Sequence, residues 1–333
     1  MSVSQAGFAR PRSPKGMAAG HDNSAMTQQA ALDGTCALSH LGVIVAEGPD
    51  AAAFLHGQLT QDISLLNDTQ ARLAALCTPK GRMIASFIGI RPQPETIVLM
   101  LGADILAATL KRLQMYVLRA KVKLRDASTE FALFGLAGSA VVANGLDAAA
   151  PAWVRKAVGT ASVVSLYPAD GVPRALWIGP ADAQPPKGNA MEPALWAWSE
   201  VRSGVASLST PVLDAFVPQM LNYESVGGVN FKKGCYPGQE VVARSQFRGT
   251  LKRRAYVVQA DGPLEVGQEI YSPADAEQPV GTVVQAAASP DGGFDAIASL
   301  QVSAAEAGSL RAQNAQGQPI SLLPLPYELL ADI

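Results

Sequence analysis

The chain has 333 residues, of which 48% are apolar and 16% are charged, and its formal net charge is −2. The length and the apolar content predict two or three domains, and the near-neutral charge argues against a basic protein that coats nucleic acid. The three cysteines, Cys36, Cys77 and Cys235, form no CxxC pair, so the sequence predicts neither a zinc site nor a disulfide framework.

The N-terminal segment, residues 1–35, is rich in Ser, Gly, Ala and Gln and is predicted to be a disordered tail. It lacks the apolar core of a secretory signal, and the chain contains no run of about 18 apolar residues that would predict a membrane span. Cysteines without a pairing pattern are typical of a reducing compartment. We therefore expect a soluble, cytoplasmic protein.

The first folded part combines strands with two helices. A helix is predicted at Asp50–Gly57, with Asp50 as its N-cap, and an amphipathic helix at Ala103–Tyr116. Thr78 to Gly81 form a turn by composition. The strands predicted for this part are Gly42–Ala46, Arg72–Cys77, Met83–Ile90, Thr96–Leu101, Val122–Arg125 and Phe131–Leu136.

The predicted secondary structure changes along the second half of the chain. Short apolar strands are predicted at Val163–Tyr167 and Ala175–Ile178, and a helix at Ala194–Arg202. From Ala255 onward, short β-like runs alternate with Gly, Pro, Asp and Ser, which is typical of a small antiparallel barrel. The sequence therefore predicts an α+β body followed by an all-β C-terminal domain.

The segment 230–244, NFKKGCYPGQEVVAR, carries the strongest chemical signal. Two glycines bracket Cys235, and a short helix is predicted at Gln239–Ser245 just after it. The positive end of this helix, together with Lys232 and Lys233, favours a thiolate. We therefore expect a reactive or metal-donor cysteine on an exposed loop. The alternative interpretation is a small buried residue in a glycine-rich turn.

Two further features bear on this cysteine. The histidines are His21, His40 and His56, and no pattern marks any of them as a base, so the sequence disfavours a Cys–His hydrolase.

The stretch from Lys232 to Arg254 is strongly basic, with one opposing glutamate. Such clustering predicts an anionic partner, such as a polyglutamylated folate tail, RNA phosphate or an acidic protein. The basic residues are Lys232, Lys233, Arg244, Arg248, Lys252, Arg253 and Arg254.

The octapeptide KGCYPGQE closely resembles the signature of the YgfZ family. Two motifs nearer the N-terminus are similar to others of that family: FLHGQLTQD at residues 54–62 and CTPKGRM at residues 77–83. The resemblance extends roughly from Leu38 to the C-terminus.

The resemblance implies an α+β fold like that of the glycine-cleavage aminomethyltransferase, arranged around a central channel that binds tetrahydrofolate or a derivative. It implies a folate-binding body (residues 36–120 and 194–250), a ferredoxin-like middle part (residues 121–193) and a C-terminal antiparallel β-barrel (residues 251–333).

The same resemblance implies an accessory role in the assembly or repair of iron–sulfur clusters, with an indirect effect on tRNA modification. The expected partners are folate and iron–sulfur proteins or cluster carriers, and Cys235 takes the position of the family's cysteine. Two alternatives remain: a folate-dependent one-carbon transferase with an unknown substrate, and a non-enzymatic scaffold that contacts RNA through the basic stretch.

Folate contacts follow from the resemblance only in part. A family tryptophan falls on Trp196, with Trp198 as the neighbouring candidate, and an indole there is suited to stack on a pteridine ring. A second family tryptophan falls on Leu41, which removes one aromatic wall. The other residues predicted at the cofactor site are Asp62, Gln239, Glu240 and Arg244.

The aminomethyltransferase requires a carboxylate beside its folate to steer proton movement. The corresponding position falls on Ile84 or Ala85, and neither side chain can hold a charge or move a proton. We therefore expect that aminomethyl transfer is absent. Asp62 is the one carboxylate of the front half that the sequence offers to a one-carbon transferase, and the alternative for Asp62 is a loop or helix-end carboxylate.

Overall fold

The computed structural model describes residues 32–247 and 251–330. Most of the predicted tail, residues 1–35, lies outside them. Leu32 is nevertheless buried, and the first strand begins at Gly34, inside the range predicted as tail. Among the described residues, no helix has the length and apolar character needed to cross a bilayer.

The described ranges contain sixteen strands and six α-helices. The strands are β1 (Gly34–Ala37), β2 (Leu41–Glu47), β3 (Ala71–Cys77), β4 (Met83–Gln93), β5 (Thr96–Gly102), β6 (Lys123–Asp126), β7 (Phe131–Ala137), β8 (Arg155–Val158), β9 (Ala161–Ala169), β10 (Val172–Pro180), β11 (Arg253–Ala260), β12 (Glu269–Tyr271), β13 (Gly281–Ala288), β14 (Phe294–Gln301), β15 (Leu310–Ala312) and β16 (Pro319–Leu323). The helices are α1 (Ala51–His56), α2 (Ala103–Met115), α3 (Ser139–Ala143), α4 (Pro193–Arg202), α5 (Gln239–Phe247) and α6 (Val302–Ala307). Three short 3₁₀ helices lie at Ile63–Leu65, Thr210–Val212 and Pro218–Leu221.

The strands form two open sheets and one closed barrel. The front sheet has the order β3-β4-β5-β2-β6, and the middle sheet has the order β1-β7-β10-β9-β8. The C-terminal strands close in the order β11-β14-β13-β12-β15-β16, which confirms the predicted β-barrel. All registered strand pairs in the three sheets are antiparallel, so short connections suffice to build them.

The two sheets follow from the alternation and apolar runs of their sequences. In the front sheet, strand β2 is buried along GVIVA because helix α2 covers one face and the middle sheet lies against the other. Strands β3, β4 and β5 of the same sheet agree with the predicted strands to within a few residues. Sequence patterns did not indicate β1, β8 or β15, each of which is only three or four residues long.

Helix α1 begins where the sequence predicts it, but its N-cap differs. The side chain of Asp50 makes no hydrogen bond to the first turn of the helix. It instead accepts a hydrogen bond of 2.6 Å from the backbone N–H of Lys121. The predicted N-cap role of Asp50 is therefore wrong, because a segment distant in sequence takes the carboxylate that a local cap would use.

Helix α4 joins the three sheets. Its Trp196 packs in the core between the front and middle sheets, and its Trp198 donates a hydrogen bond of 2.8 Å to Asp295 in the barrel strand β14. Arg202, one turn further on, pairs with Asp170 after β9 and with Asp295. This short helix therefore fixes the barrel against the body through one indole and one guanidinium.

Close packing on Trp196 explains a glycine in the middle sheet. A methyl group added at Gly135 in β7 would lie 2.5 Å from the indole carbons of Trp196, closer than real methyl contacts allow. We expect Gly135→Ala to lower the free energy of unfolding by roughly 1–3 kcal/mol, because the fully buried ring has to shift. Urea unfolding followed by circular dichroism measures the change.

Gly57→Ala is the matched control for this substitution. The nearest atoms to a methyl group at Gly57 are 3.5 Å away, and the backbone there is in the right-handed helical region. We expect its free energy of unfolding to stay within about 0.5 kcal/mol of the parent value. Equal stability of the two variants would contradict the packing argument.

Candidate functional site

The loop that carries Cys235 is held against the hairpin between β3 and β4. Gly238 adopts a φ of 84°, and a methyl group there would meet the carbonyl oxygen of Thr78 at 2.5 Å and Cα of Gly81 at 2.7 Å. A methyl group at Gly81 would in turn lie 2.9 Å from Cβ of Val241. Gly238 is thus required because two backbones approach each other closely, and Gly81 because its positive φ and the Val241 side chain leave no room for a methyl group.

Lys233 connects the same loop to the FLHGQLTQD motif. Its side chain is buried, and Nζ donates hydrogen bonds to the carbonyl oxygens of His56 (2.5 Å) and Leu59 (2.8 Å). Nζ also lies 4.6 Å from the ring centroid of Tyr236. Burial lowers the pKa of Lys233 to about 8, while the nearby Asp62 and Cys235 oppose this shift. The ammonium group therefore ties two motifs together that are far apart in sequence.

Cys235 is the exposed thiol of the chain, whereas Cys36 and Cys77 are buried. Burial raises the pKa of Cys77 to about 12 and also raises the pKa of Cys36. A reagent or partner in solution at neutral pH therefore meets Cys235 first. This exposure agrees with the functional interpretation of the loop and not with a buried structural cysteine.

Asp62 and His56 form a hydrogen-bonded pair beside this loop. Oδ1 of Asp62 lies 2.9 Å from Nδ1 of His56 and accepts hydrogen bonds from the backbone N–H and the hydroxyl of Ser64. Burial alone would raise the pKa of Asp62, but the hydrogen bonds from Ser64 and His56 outweigh it and lower the pKa. The carboxylate is therefore ionised near neutral pH and fixes the orientation of the imidazole ring.

A cleft of about 470 Å³ lies between the front sheet, the middle sheet and helix α4. Its walls are mostly apolar, and a second cleft of about 410 Å³ adjoins it and shares Leu73, Ile88, Leu166, Glu200 and Ser207. Apolar walls with a few polar groups are typical of sites for small organic ligands. The first cleft is lined by Leu38, Leu41, Leu73, Ser86, Phe87, Ile88, Met100, Leu101, Gly102, Leu166, Leu176, Trp196, Glu200 and Ser207.

The cleft walls contain polar atoms without partners. Nε1 of Trp196 and Nε of Arg174 are buried and make no hydrogen bond within the described part of the chain. The Arg174 guanidinium lies 4.4 Å above the Trp196 ring, and burial lowers the pKa of Arg174 to about 10 although Glu200 opposes this shift. Oε1 of Glu200 is 3.4 Å from Nε2 of His40. Buried donors without partners are costly, so these two atoms need an explanation in the structure.

Comparison with known proteins shows which proteins this chain resembles in sequence. A family model described as the GCVT N-terminal domain matches residues 3–145. The tRNA-modifying protein YgfZ of Edwardsiella ictaluri is 29% identical over 312 residues, which cover 85% of this chain and 89% of that protein. YgfZ of Sodalis glossinidius is 28% identical over 304 residues, covering 88% and 92%. The chain is a relative of the YgfZ proteins.

The fold comparison agrees with this relationship. A glycine cleavage system aminomethyltransferase T from Bartonella henselae superposes with a TM-score of 0.67, covering 92% of this chain and 90% of that one, at 15% sequence identity. This likeness confirms the predicted aminomethyltransferase-like fold of the YgfZ relative. At such low identity it concerns the fold alone.

The two tryptophans predicted at the cofactor site have different positions. Trp196 lines the first cleft, and Leu41, where the resemblance places a second family tryptophan, lines it as well. Trp198 is absent from the lining of both clefts, and its indole N–H is bound to Asp295. The structure therefore gives Trp198 a packing role in this YgfZ relative.

The other predicted site residues lie near Cys235 rather than at the clefts. Gln239, Glu240 and Arg244 are on helix α5, where Arg244 pairs with Glu240 on the exposed surface. Asp62 pairs with His56. None of these four lines either cleft. The structure thus divides the predicted set between a cleft with Trp196 and a thiol loop with Cys235.

The basic stretch of the YgfZ relative does not form one continuous cationic surface. Lys233 is buried as described above, and Arg254 is buried in an ion pair with Glu224. Arg253 donates to the carbonyl oxygen of Val280, and Arg248 lies outside the described residues. The charge that Lys232–Arg254 presents to a partner is therefore smaller than its composition suggests.

Three residues that the structure places at the clefts or beside the cysteine loop were not predicted from the sequence. Glu200 and Arg174 reach the clefts from helix α4 and strand β10, and His56 comes to lie beside the cysteine loop. Ile84 and Ala85 carry no carboxylate, whereas Glu200 lines both clefts from helix α4. No local pattern marks these residues, because only the fold brings them to their sites.

The buried Lys233 predicts a specific dependence of stability on pH. Its pKa is about 8 in the folded chain, against 10.5 for an ordinary lysine. Between these values the unfolded chain holds a proton that the folded chain has lost, so the free energy of unfolding rises with pH through this group, by up to about 1.4 kcal/mol per unit. We expect the stability difference between wild type and Lys233→Met to increase from pH 8 to pH 10.

Urea unfolding at several pH values measures this difference. At pH 7 we expect Lys233→Met to be destabilised by roughly 1–3 kcal/mol, because two buried carbonyl groups lose their donor. Lys232→Met is the matched control, since that side chain is exposed, and its difference from wild type should stay near zero throughout. A constant or decreasing difference for Lys233→Met would contradict the assigned burial of the ammonium.

Proposed function

We propose that this chain is a folate-binding accessory protein for the assembly or repair of iron–sulfur clusters, and that it affects tRNA modification indirectly through cluster-dependent enzymes. The single observation that carries the folate part is the pair of adjoining clefts, one lined by Trp196 and the other by Arg174, that share the carboxylate of Glu200. The names of the YgfZ relatives support the link with tRNA modification.

Tetrahydrofolate suits the chemistry of this cleft. Its pterin part is a flat heterocycle with N–H groups and a carbonyl oxygen on its edge. The carboxylate of Glu200 is the natural acceptor for the N–H groups, and the guanidinium of Arg174 is the cationic group that lines the second cleft. The apolar side chains Leu41, Leu73 and Ile88 would cover the ring faces. A bound folate derivative supplies a reduced pterin that carries one-carbon units.

Cys235 supplies the second half of the proposed function. An exposed thiolate is a soft ligand for iron and a nucleophile toward sulfur, so it is suited to contact a cluster or a sulfur carrier as cargo. No group of three or more His, Cys, Asp and Glu in the described ranges is arranged to hold a metal ion. In this proposal the thiol therefore acts together with ligands from a client protein.

A second candidate is a folate-dependent one-carbon transferase. The observation in its favour is Glu200, because such a transferase needs a carboxylate beside the folate and this one lines both clefts. Transfer of the one-carbon unit from methylene-tetrahydrofolate to a nucleophilic substrate would support it. Binding without consumption of the folate favours the accessory role.

Calorimetric titration with tetrahydrofolate tests the cleft. We expect Glu200→Gln to weaken binding about tenfold or more, because one charged acceptor for the pterin N–H groups is lost. Trp196→Phe should weaken binding less, since it keeps an aromatic ring and removes only the indole N–H. Formyl- and methylene-tetrahydrofolate titrated in parallel identify the preferred form.

Glu192→Gln is the matched control for Glu200→Gln, because Glu192 is exposed at the start of the same helix. Its affinity should equal that of wild type. Absence of binding to wild type with every folate form, or equal affinity of Glu200→Gln, would refute the folate site.

Complementation tests the role of the thiol. In a strain that lacks its own copy of the protein, we expect Cys235→Ala to fail to restore the activity of iron–sulfur enzymes, because the exposed sulfur is lost. Cys36→Ala removes a buried sulfur instead and should restore that activity. Thermal unfolding of both purified variants shows whether they fold. Full rescue by a stably folded Cys235→Ala would exclude a role for this thiol.

A further inference from the structure

The imidazole of His56 has one nitrogen occupied and one free. Nδ1 is bound to Asp62, and Nε2 has no hydrogen-bond partner within the described ranges. An ionised carboxylate on Nδ1 keeps the proton on that nitrogen, so Nε2 of the neutral ring is a proton acceptor. The ring is half-buried, which limits the access of water to it.

The free nitrogen faces the cysteine loop. A methyl group built on Gly234 would lie 3.1 Å from Nε2 of His56, so the backbone directly before Cys235 is next to this acceptor. The absence of a side chain at Gly234 leaves that space open. Lys233, on the other side of Gly234, fixes the loop by its bond to the carbonyl oxygen of His56 itself. The loop therefore contacts His56 at two points: Gly234 lies next to the imidazole ring, and Lys233 binds the backbone carbonyl oxygen.

We propose that His56 is the proton acceptor of Cys235 and that Asp62 is the positioning residue for His56. The thiol of Cys235 has no hydrogen-bond partner of its own in the described structure, and it belongs to the residue that follows Gly234. Rotation of this exposed side chain toward Nε2 completes an arrangement of carboxylate, imidazole and thiol drawn from two distant motifs.

The step is a single proton transfer. The S–H bond of Cys235 breaks, its electron pair remains on sulfur, and the proton forms an N–H bond with Nε2 of His56. A neutral thiol and a neutral imidazole become a thiolate and an imidazolium, with no change of oxidation state. The imidazolium then lies between two anions, the Asp62 carboxylate and the Cys235 thiolate, which stabilise it.

The charges around the pair favour this transfer. Asp62 stabilises the imidazolium, while the Lys233 ammonium, whose pKa the Cys235 charge raises, stabilises the thiolate. Glu240 and Arg244 on helix α5 pair with each other on the exposed surface and add little net charge. The proposal deepens the assigned role of Cys235, since it rests on that thiol being the reacting group of the proposed function.

The pH dependence of thiol alkylation tests the proton transfer without any cluster or folate. Wild type, His56→Gln, Asp62→Asn and His40→Gln are each treated with iodoacetamide between pH 5.5 and pH 9, and modification of Cys235 is followed by mass spectrometry. Cys235→Ser shows the background from the buried Cys36 and Cys77. Since only the thiolate reacts, the rate reports its fraction.

We expect His56→Gln to slow alkylation about five- to tenfold at pH 6.5–7 and to move the rate profile to higher pH, because the acceptor is lost. Asp62→Asn should act in the same direction with a smaller effect. His40→Gln, which changes a histidine paired with Glu200, should match wild type. A profile for folded His56→Gln that coincides with wild type would overturn the proposal.

A measurement on the imidazole keeps the proposal testable should His56→Gln fold poorly. The ¹⁵N NMR signals of His56 are titrated in wild type and in Cys235→Ser. Loss of the thiolate should move the protonation midpoint of His56 to lower pH, because the imidazolium loses an anionic neighbour. An unchanged midpoint would contradict the proposal. Failure of complementation by Cys235→Ala alongside an unchanged midpoint leaves the proposed function standing and removes only the role of His56.

Discussion

The candidate thiol site depends on the burial of one charged group, the ammonium of Lys233. Two carbonyl oxygens at the end of helix α1 and just after it have no donor of their own there, and Lys233 satisfies both. Their hydrogen bonds compensate the cost of burying the ammonium, and the lowered pKa is the remaining sign of that cost. The consequence is that the loop carrying Cys235 is attached through Lys233 to the segment that contains His56 and Leu59.

The molecule separates two kinds of chemistry. The cleft is enclosed by apolar side chains and contains aromatic, guanidinium and carboxylate groups, which suits a flat polar heterocycle. The cysteine loop is exposed and carries the nucleophile, which suits a macromolecular partner or a cargo atom. Helix α4 and the hairpin after β3 belong to the same core, so occupancy of the cleft and the position of the thiol loop share one rigid scaffold.

Glu200 supplies a carboxylate to the cleft from an element that no sequence pattern marks. The resemblance to the aminomethyltransferase implies a carboxylate on the second strand of the hairpin, where Ile84 and Ala85 stand. The carboxylate of this chain reaches the cleft from helix α4 instead. The structure thus leaves the transferase hypothesis open to a direct test of turnover, which the sequence alone had disfavoured.

The sequence by itself determined the α+β body, the C-terminal barrel and the relationship to YgfZ, and it singled out the Cys235 loop as a candidate site. These features depend on local periodicity and on a contiguous motif, and both can be read from the sequence without knowing the fold. Only the tertiary structure decided that Trp196 and not Trp198 faces the cleft, because neighbouring positions on a helix point in different directions. It alone also brought Glu200 to the cleft and His56 next to the loop that carries Cys235, since hydrogen bonds and packing between distant segments leave no local pattern in the sequence.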